Sequence, residues 1–178
     1  MKISNKAGLT VEFLENGAVS CIYTDTVMIS MRRATVYSGT YAGVWLRKHG
    51  PVIEHRPLTG PGSDSLFRVD NGRYTAAGNW EGIGYICTLQ LSEKSLSWEW
   101  RINLQNNSGR DVTLDLVCMQ DAGLKAVYQG LVNEYYISQY TERRILDDTK
   151  AGKVVCCRQN MKESGGHPWL MMVSLDRA

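Results

Sequence analysis

Polar and apolar positions alternate with a period of two along most of this chain. The clearest run is residues 95–104, Ser-Leu-Ser-Trp-Glu-Trp-Arg-Ile-Asn-Leu, where every even position is apolar and every odd one polar. A helix would scatter those side chains around its circumference, whereas a strand sends them to two faces. Residues 105–110, Gln-Asn-Asn-Ser-Gly-Arg, make a turn-rich link, and residues 111–116 alternate again, so the two runs read as an antiparallel hairpin. Upstream, residues 83–91 keep their odd positions apolar and reach the next run through Ser92-Glu93-Lys94. The pattern predicts a three-stranded meander over residues 82–118 with one buried face.

The same style continues elsewhere. Residues 9–13 alternate up to the turn Glu15-Asn16-Gly17, and residues 18–23 follow as their partner strand; shorter strands are expected at 44–48, 66–69 and 74–77. Residues 153–157 and 169–173 are apolar enough to predict strands buried on both faces. Strands that recur every eight to twelve residues point to a sandwich or barrel. Helix is scarce: only residues 121–131 offer a turn or two, and Gly123 and Gly130 oppose it. Pro57, Gly60, Pro61 and Gly62 predict a loop at 56–65. Residues 119–152 form a second irregular stretch, holding the run 133–140, then Arg143-Arg144 and Asp147-Asp148. A long excursion inside a compact β domain is often where function resides.

Composition narrows the classes. The 178 residues, 43% hydrophobic and 21% charged, suit one soluble domain. Twenty Lys and Arg against 18 Asp and Glu give a net charge of +2, which offers no electrostatic case for nucleic acid. The longest apolar run is five residues, far below the roughly 20 of a membrane helix, so no membrane partner is expected. The first residues lead into no apolar core of signal-peptide length. Cys21, Cys87, Cys118, Cys156 and Cys157 are odd in number and contain no C-x-x-C, which suggests reduced thiols acting as small buried hydrophobes. A cytoplasmic location is the expectation.

Candidate chemistry is sparse. His49, Glu54 and His55 match no standard metal spacing, and neither a metal nor another cofactor is expected. Gly82-Ile83-Gly84 lacks the third glycine of a dinucleotide fingerprint, and no nucleophile elbow, H-E-x-x-H or phosphate loop is present. Glycoside chemistry uses two carboxylates, but Glu99, Asp115 and the solvated Asp147-Asp148 cannot be paired from sequence. Trp98 and Trp100 share the apolar face of their strand and read as core. Trp45, Trp80, Tyr135, Tyr136 and Tyr140 lie nearer to loops and are the better sugar-stacking candidates. No catalytic residue is assigned.

Several phrases together resemble a known group. Asn5-Lys6-Ala7-Gly8-Leu9-Thr10, followed by Phe13-Leu14-Glu15-Asn16-Gly17, is similar to the start of bacterial 1,2-β-oligoglucan phosphorylases. These belong to the cellobiose and chitobiose phosphorylase group of glycoside hydrolase family 94. Trp80-Glu81-Gly82-Ile83-Gly84-Tyr85, the Trp98-Glu99-Trp100 strand, the 106–116 run and Asn133-Glu134-Tyr135-Tyr136-Ile137-Ser138-Gln139-Tyr140 resemble the same N-terminal domain. The likeness runs from about residue 5 to 175 and rests on texture and short phrases, with no single diagnostic motif.

The resemblance implies an all-β, antiparallel β-sandwich of the supersandwich, galactose mutarotase-like kind, for which 178 residues is short. Residues 1–178 would then be one N-terminal domain, a fragment of a larger multidomain chain. The family's catalysis is phosphorolysis of β-glucan oligosaccharides with inversion, giving a sugar 1-phosphate. It lies on a separate (α/α)6 barrel, where inorganic phosphate also binds. This domain would pack on that barrel and lend loops to the sugar cleft. Asn133, Glu134, Tyr135, Tyr136, Gln139, Tyr140, Arg143 and Arg144 are the carbohydrate-binding candidates: rings cover apolar sugar faces, and amide and guanidinium groups bond hydroxyls. The alternatives are an independent carbohydrate-binding module and a structural or assembly domain with an exposed apolar patch. A homodimer is a further expected partner state. A mutarotase-like epimerase would need His and carboxylate in one cleft, which the three histidines do not offer.

Overall fold

Short turns between alternating runs fold this chain into fifteen β-strands, with one six-residue helix among the described residues. The computed structural model describes residues 1–70, 72–129, 134–163 and 165–175. They form two compact units: Met1–Ile22 with Ala34–Gln120, and Tyr23–Arg33 with the chain from Asp121 onward.

The first unit opens with β1 (Lys2–Ser4), β2 (Thr10–Phe13) and β3 (Val19–Tyr23), neighbours in one antiparallel sheet. The expected hairpin is present: the Leu14 amide donates to the Ala18 carbonyl at 2.8 Å across the Glu15-Asn16-Gly17 turn. The strand β4 (Val27–Met28) belongs to the second unit. Then come β5 (Ala42–His49), β6 (Glu54–Pro57), β7 (Leu66–Asp70), β8 (Arg73–Trp80), β9 (Ile83–Leu91), β10 (Trp98–Asn106) and β11 (Thr113–Gln120). Strands β7 to β10 make a four-stranded meander, and β6, β5 and β11 make a second antiparallel sheet.

The two sheets share one core. Val44, Leu46 and Leu58 meet Trp80, Ile83, Tyr85 and Cys87, with Trp100, Ile102, Val112 and Leu114 packed at the margin. Burial of each large apolar side chain here contributes roughly 1.5–3 kcal/mol. The result is the antiparallel β-sandwich expected from the sequence. Trp80 is part of that core, which removes it from the stacking candidates, and Trp45 is half-buried.

The expected β10–β11 hairpin is not formed. β10 pairs only with β9, while β11 crosses to β5, placing Leu116 opposite Leu46 and Asp115 opposite Arg47. Both strands turn their apolar faces to the same core, but from opposite sheets. Alternation reports that a face is buried and is silent on which sheet carries it. The link is held by Asn106, whose Nδ2 donates to the Arg110 carbonyl at 2.8 Å and whose Oδ1 accepts from the Ser108 amide at 3.0 Å. It passes close to Gly82, where a Cβ would lie 2.8 Å from Ser108 Cα and where φ is +86°. Glycine is needed there on both counts.

In the second unit, β4 pairs with β12 (Lys125–Ala126), then follow α1 (Glu134–Gln139), β13 (Thr141–Asp148), β14 (Gly152–Gln159) and β15 (Trp169–Val173). The last three form an antiparallel sheet with β14 in the centre. The expectation of an irregular 119–152 is therefore corrected: it holds the end of β11, β12, a 3-10 turn at Val127–Gln129, α1 and all of β13. The period-two pattern was absent because seven of the eight β13 residues escape full burial, so nothing requires them to alternate. Trp169–Val173 is a strand as expected but is not buried on both faces: Trp169 and Met171 are 52% and 64% exposed.

Candidate functional site

The candidate residues gather on α1 and the strand that follows it. Glu134 stands in the first turn, where a carboxylate suits the helix dipole, and it forms an ion pair with Arg32. Ile137 is the only buried residue of the helix and anchors it. The Tyr140 amide donates to the Ile137 carbonyl at 3.1 Å and closes the turn.

Helical spacing sorts the exposed side chains. Tyr136 and Tyr140 are four apart, with ring centroids 5.1 Å apart and planes tilted by 59°; the Tyr140 hydroxyl donates to that of Tyr136 at 3.1 Å. That hydrogen bond raises the Tyr140 pKa above its ordinary value. Tyr135, 77% exposed, and the exposed Gln139 form the next i, i+4 pair around the helix. The outcome is a small polar-aromatic face of three phenols and one amide. Asn133 lies outside the described residues.

The two arginines separate. Adjacent residues on a strand point to opposite faces, so Arg143 shares a face with Cys157 and Arg144 with Cys156. Arg144 is ion-paired with Glu142. Arg143 acts electrostatically on Cys157, pulling the thiol pKa down against the larger upward effect of burial. Spacing in sequence had grouped them; strand geometry puts at most one beside any single ligand.

The remaining chemistry of the sequence has structural partners. Asp115 accepts from Arg47 Nε at 2.8 Å and Nη2 at 2.5 Å, and lies 3.0 Å from His49 Nε2; together these hold its carboxyl down to about 2. Glu54 and Glu81 both pair with Lys48. Among the described residues no group of three or more His, Cys, Asp or Glu converges on a metal position. Four cysteines are buried and Cys118 is exposed; burial pushes the Cys87 thiol up to about 12. No described helix is long and apolar enough to cross a membrane.

Two surfaces went unnoticed in the sequence. One face of the β13–β15 sheet carries Trp169, Met171, Val173 and Leu146, all exposed, with the Arg158 guanidinium 5.3 Å from the Trp169 ring centre. Their unbroken apolar runs were the available signal. The second is a trough of about 580 Å³ on the outward face of the β7–β10 sheet, where an apolar row of Leu66, Ala77 and Ile86 runs beside a polar row of Arg68, Thr75, Thr88 and Arg101. The alternation had identified those residues only as the solvated side.

Comparison with known proteins adds a finding from outside the chain. A family model described as the SOGP N-terminal domain matches residues 12–178. A 1,2-beta-oligoglucan phosphorylase of Listeria innocua serovar 6a is 22% identical over 179 aligned positions, covering 99% of this chain and 16% of that protein. The chain thus spans about a sixth of the length of the curated relative it matches.

Proposed function

The chain belongs to the SOGP N-terminal domain family, and from that membership we propose that it is the non-catalytic N-terminal β domain of a cytoplasmic glycoside phosphorylase acting on β-glucan oligosaccharides. In this reading residues 1–178 are one domain that packs on a separate (α/α)6 barrel. The barrel carries the phosphate site and the inverting phosphorolysis that yields a sugar 1-phosphate. The domain contributes the α1 face to the sugar cleft. The observation that carries the reading is the pairing of coverages: nearly all of this chain aligns with a small part of a phosphorylase. The exposed Tyr135, Tyr136, Gln139 and Tyr140 support the cleft role, since phenol rings cover apolar sugar faces and the amide bonds hydroxyls.

The test uses the parent enzyme. Substituting Tyr135→Ala and Gln139→Ala raises KM for oligosaccharide about tenfold, the loss of one stacking and one hydrogen-bonding contact, and leaves kcat nearly unchanged. Unchanged KM would sink the cleft role. Calorimetry on the 178-residue chain with β-glucan oligosaccharides separates the neighbouring reading. Saturable heat from the chain alone would identify an independent carbohydrate-binding module.

A second reading, an assembly domain, is favoured by the exposed apolar face of β13–β15. It expects the chain alone to associate in light scattering as concentration rises, and Met171→Lys to abolish that association. A monomer at all concentrations would count against it.

A further inference from the structure

The sandwich of the first unit is open along one side. β10 and β11 are edge strands, each the last of its sheet, and residues 107–112 join them. Their inward side chains are incompletely covered: Leu104 and Leu116 are each 40% exposed, Trp98, Trp100 and Ile102 are half-buried, and Cys118 is exposed. Six of the nine β10 residues are exposed and none is buried. Among the described residues no strand pairs with the outer edge of β10.

Natural sheet edges are blunted by shortness, proline, an inward charge or a bulge. β6 has four residues and ends in Pro57, and β7 has five. β10 has none of these devices. Its inward positions are Trp98, Trp100, Ile102, Leu104 and Asn106, all uncharged. Its register with β9 runs unbroken from Trp98 opposite Leu91 to Asn106 opposite Ile83. At roughly 3.4 Å per residue the edge is about 30 Å long.

The strand is complementary to itself. In an antiparallel pair, opposite residues share a face. Two copies of β10 related by a two-fold axis at Ile102 overlap along all nine residues with their inward faces aligned. Ile102 then meets its own copy, and Trp100 meets Leu104 of the other chain. On the outward face Arg101 meets Asn103 and Glu99 meets Gln105, so each charge faces an amide that can bond it. Arg101 keeps its bond to Glu99 of its own strand at 2.7 Å, and its guanidinium has donors to spare. A slide of two residues shortens the overlap in either direction. One way it sets Arg101 against Arg101, and the other way it leaves Glu99 beyond the end of the partner strand. β11, with eight residues, has no such match: full overlap would set outward Thr113 against inward Gln120.

We propose that the outer edge of β10 pairs with β10 of a second copy of this chain, joining two four-stranded sheets into one and closing the open side of both cores. The pairing uses the same edge on both copies, so association stops at two. It rests neither on the phosphorylase reading nor on the exposed face of β13–β15.

The experiment is sedimentation equilibrium of the 178-residue chain carrying Met171→Lys, which removes the β13–β15 face as a source of association. A monomer–dimer equilibrium is expected. Leu104→Lys, which turns a charge into the closed side, weakens the dimer at least about tenfold. Two substitutions at the solvent-facing Asn103 read the register. Asn103→Asp sets a carboxylate opposite Arg101 and tightens the dimer about fivefold, since two such pairs form per dimer; Asn103→Lys sets like charges opposite and loosens it by a similar factor. A register slid to put Asn103 opposite Glu99 would reverse that order. Circular dichroism verifies that each variant is folded, and the Asn103 variants leave the core untouched. A monomer at all concentrations, a dimer indifferent to Leu104→Lys, or Asn103 variants that do not separate in the stated order would each overturn the proposal. The assembly reading is judged separately, by the association that Met171→Lys removes from the otherwise unaltered chain.

Discussion

Tyr74 lies flat against Phe13, with ring centroids 4.5 Å apart and planes 5° from parallel, and its hydroxyl donates to the Gly17 carbonyl at 2.8 Å. Burial raises the phenol pKa, so the donor proton is retained. Trp100 meets the Tyr74 ring edge-on at 6.3 Å. Tyr74→Phe keeps the stack but strands a buried carbonyl, and is expected to cost about 1–2 kcal/mol. Tyr74→Ala removes the stack and leaves a cavity, at about 3–5 kcal/mol. Urea unfolding of the two variants checks the ordering; equal losses would place the stability in the hydrogen bond.

Gly17 has a second constraint. Its φ is +79°, and a Cβ there would lie 2.7 Å from the Phe67 ring. Gly152 has a similar φ of +71° with open space around it. Gly152→Ala is therefore expected to cost about 1 kcal/mol from backbone strain alone, and Gly17→Ala about 2 kcal/mol more because the ring must move. Thermal melts of the pair separate strain from collision.

Asn5 joins the amino-terminal strand to the β9–β10 turn. Its Nδ2 donates to the carbonyls of Ser92 at 2.5 Å and Ser95 at 2.8 Å, while its Oδ1 accepts from the amides of Ala7 and Leu9. Asn5→Asp retains the acceptors and loses both donors. A loss of about 1–3 kcal/mol is expected, together with faster hydrogen exchange at residues 92–95. Unchanged exchange there would show that the turn holds itself.

How much of this was legible in advance depends on what each pattern encodes. Leu9 to Tyr23 was readable as a hairpin because its turn, Asn16-Gly17, is local. The β9–β10 hairpin was readable for the same reason, since Ser92-Glu93-Lys94 is a short link, whereas the pairing of β8 with β9 carried no such mark in the reading of 74–77 as a lone short strand. The transfer of β11 to β5 was not, since Val112 and Leu114 alternate identically whichever sheet they join. Trp80 looked accessible beside Glu81-Gly82, but the turn follows it and leaves the indole in the core. The tyrosines of α1 were found by composition. Their pairing as 136 with 140 and 135 with 139 required knowing that the segment is helical, and six residues are too few to show a period. Arg143 and Arg144 were grouped because β13 was read as loop.

Asp115 sets an acid limit. Arg47 and His49 hold its folded pKa at about 2, below the ordinary 3.8. The ionised carboxylate therefore adds stability that is fully present above pH 3.8 and is lost as pH falls toward 2. Wild-type protein should lose stability more steeply than Asp115→Asn across that interval, as read from urea midpoints at successive pH values. Parallel curves would mean that the pair is screened by solvent.

Asp121 works in the opposite sense. Burial pushes its carboxyl up to about 6, against the pull of the Arg32 and Met31 amides that donate to it. The folded state then holds the proton more tightly than the unfolded chain does. Its contribution is full below pH 3.8 and falls away as pH rises through 6. Asp121→Asn should flatten the stability profile of the second unit between those limits. An unaltered slope in the variant would assign the titration to another group.

The crossing of β11 to β5 also dictates an order of events. Hairpins of the β7–β10 meander close short loops, whereas Thr113 must find His49, and Gln120 must find Ala42, across the whole meander. Closing so long a loop is entropically costly until the intervening strands are compact, so the local sheet forms first and the distant pairing waits on it. On the ribosome the waiting has a direction. β5 and β6 emerge early and carry an unfilled row of backbone donors and acceptors until Gln120 has been synthesised and released to complete their sheet.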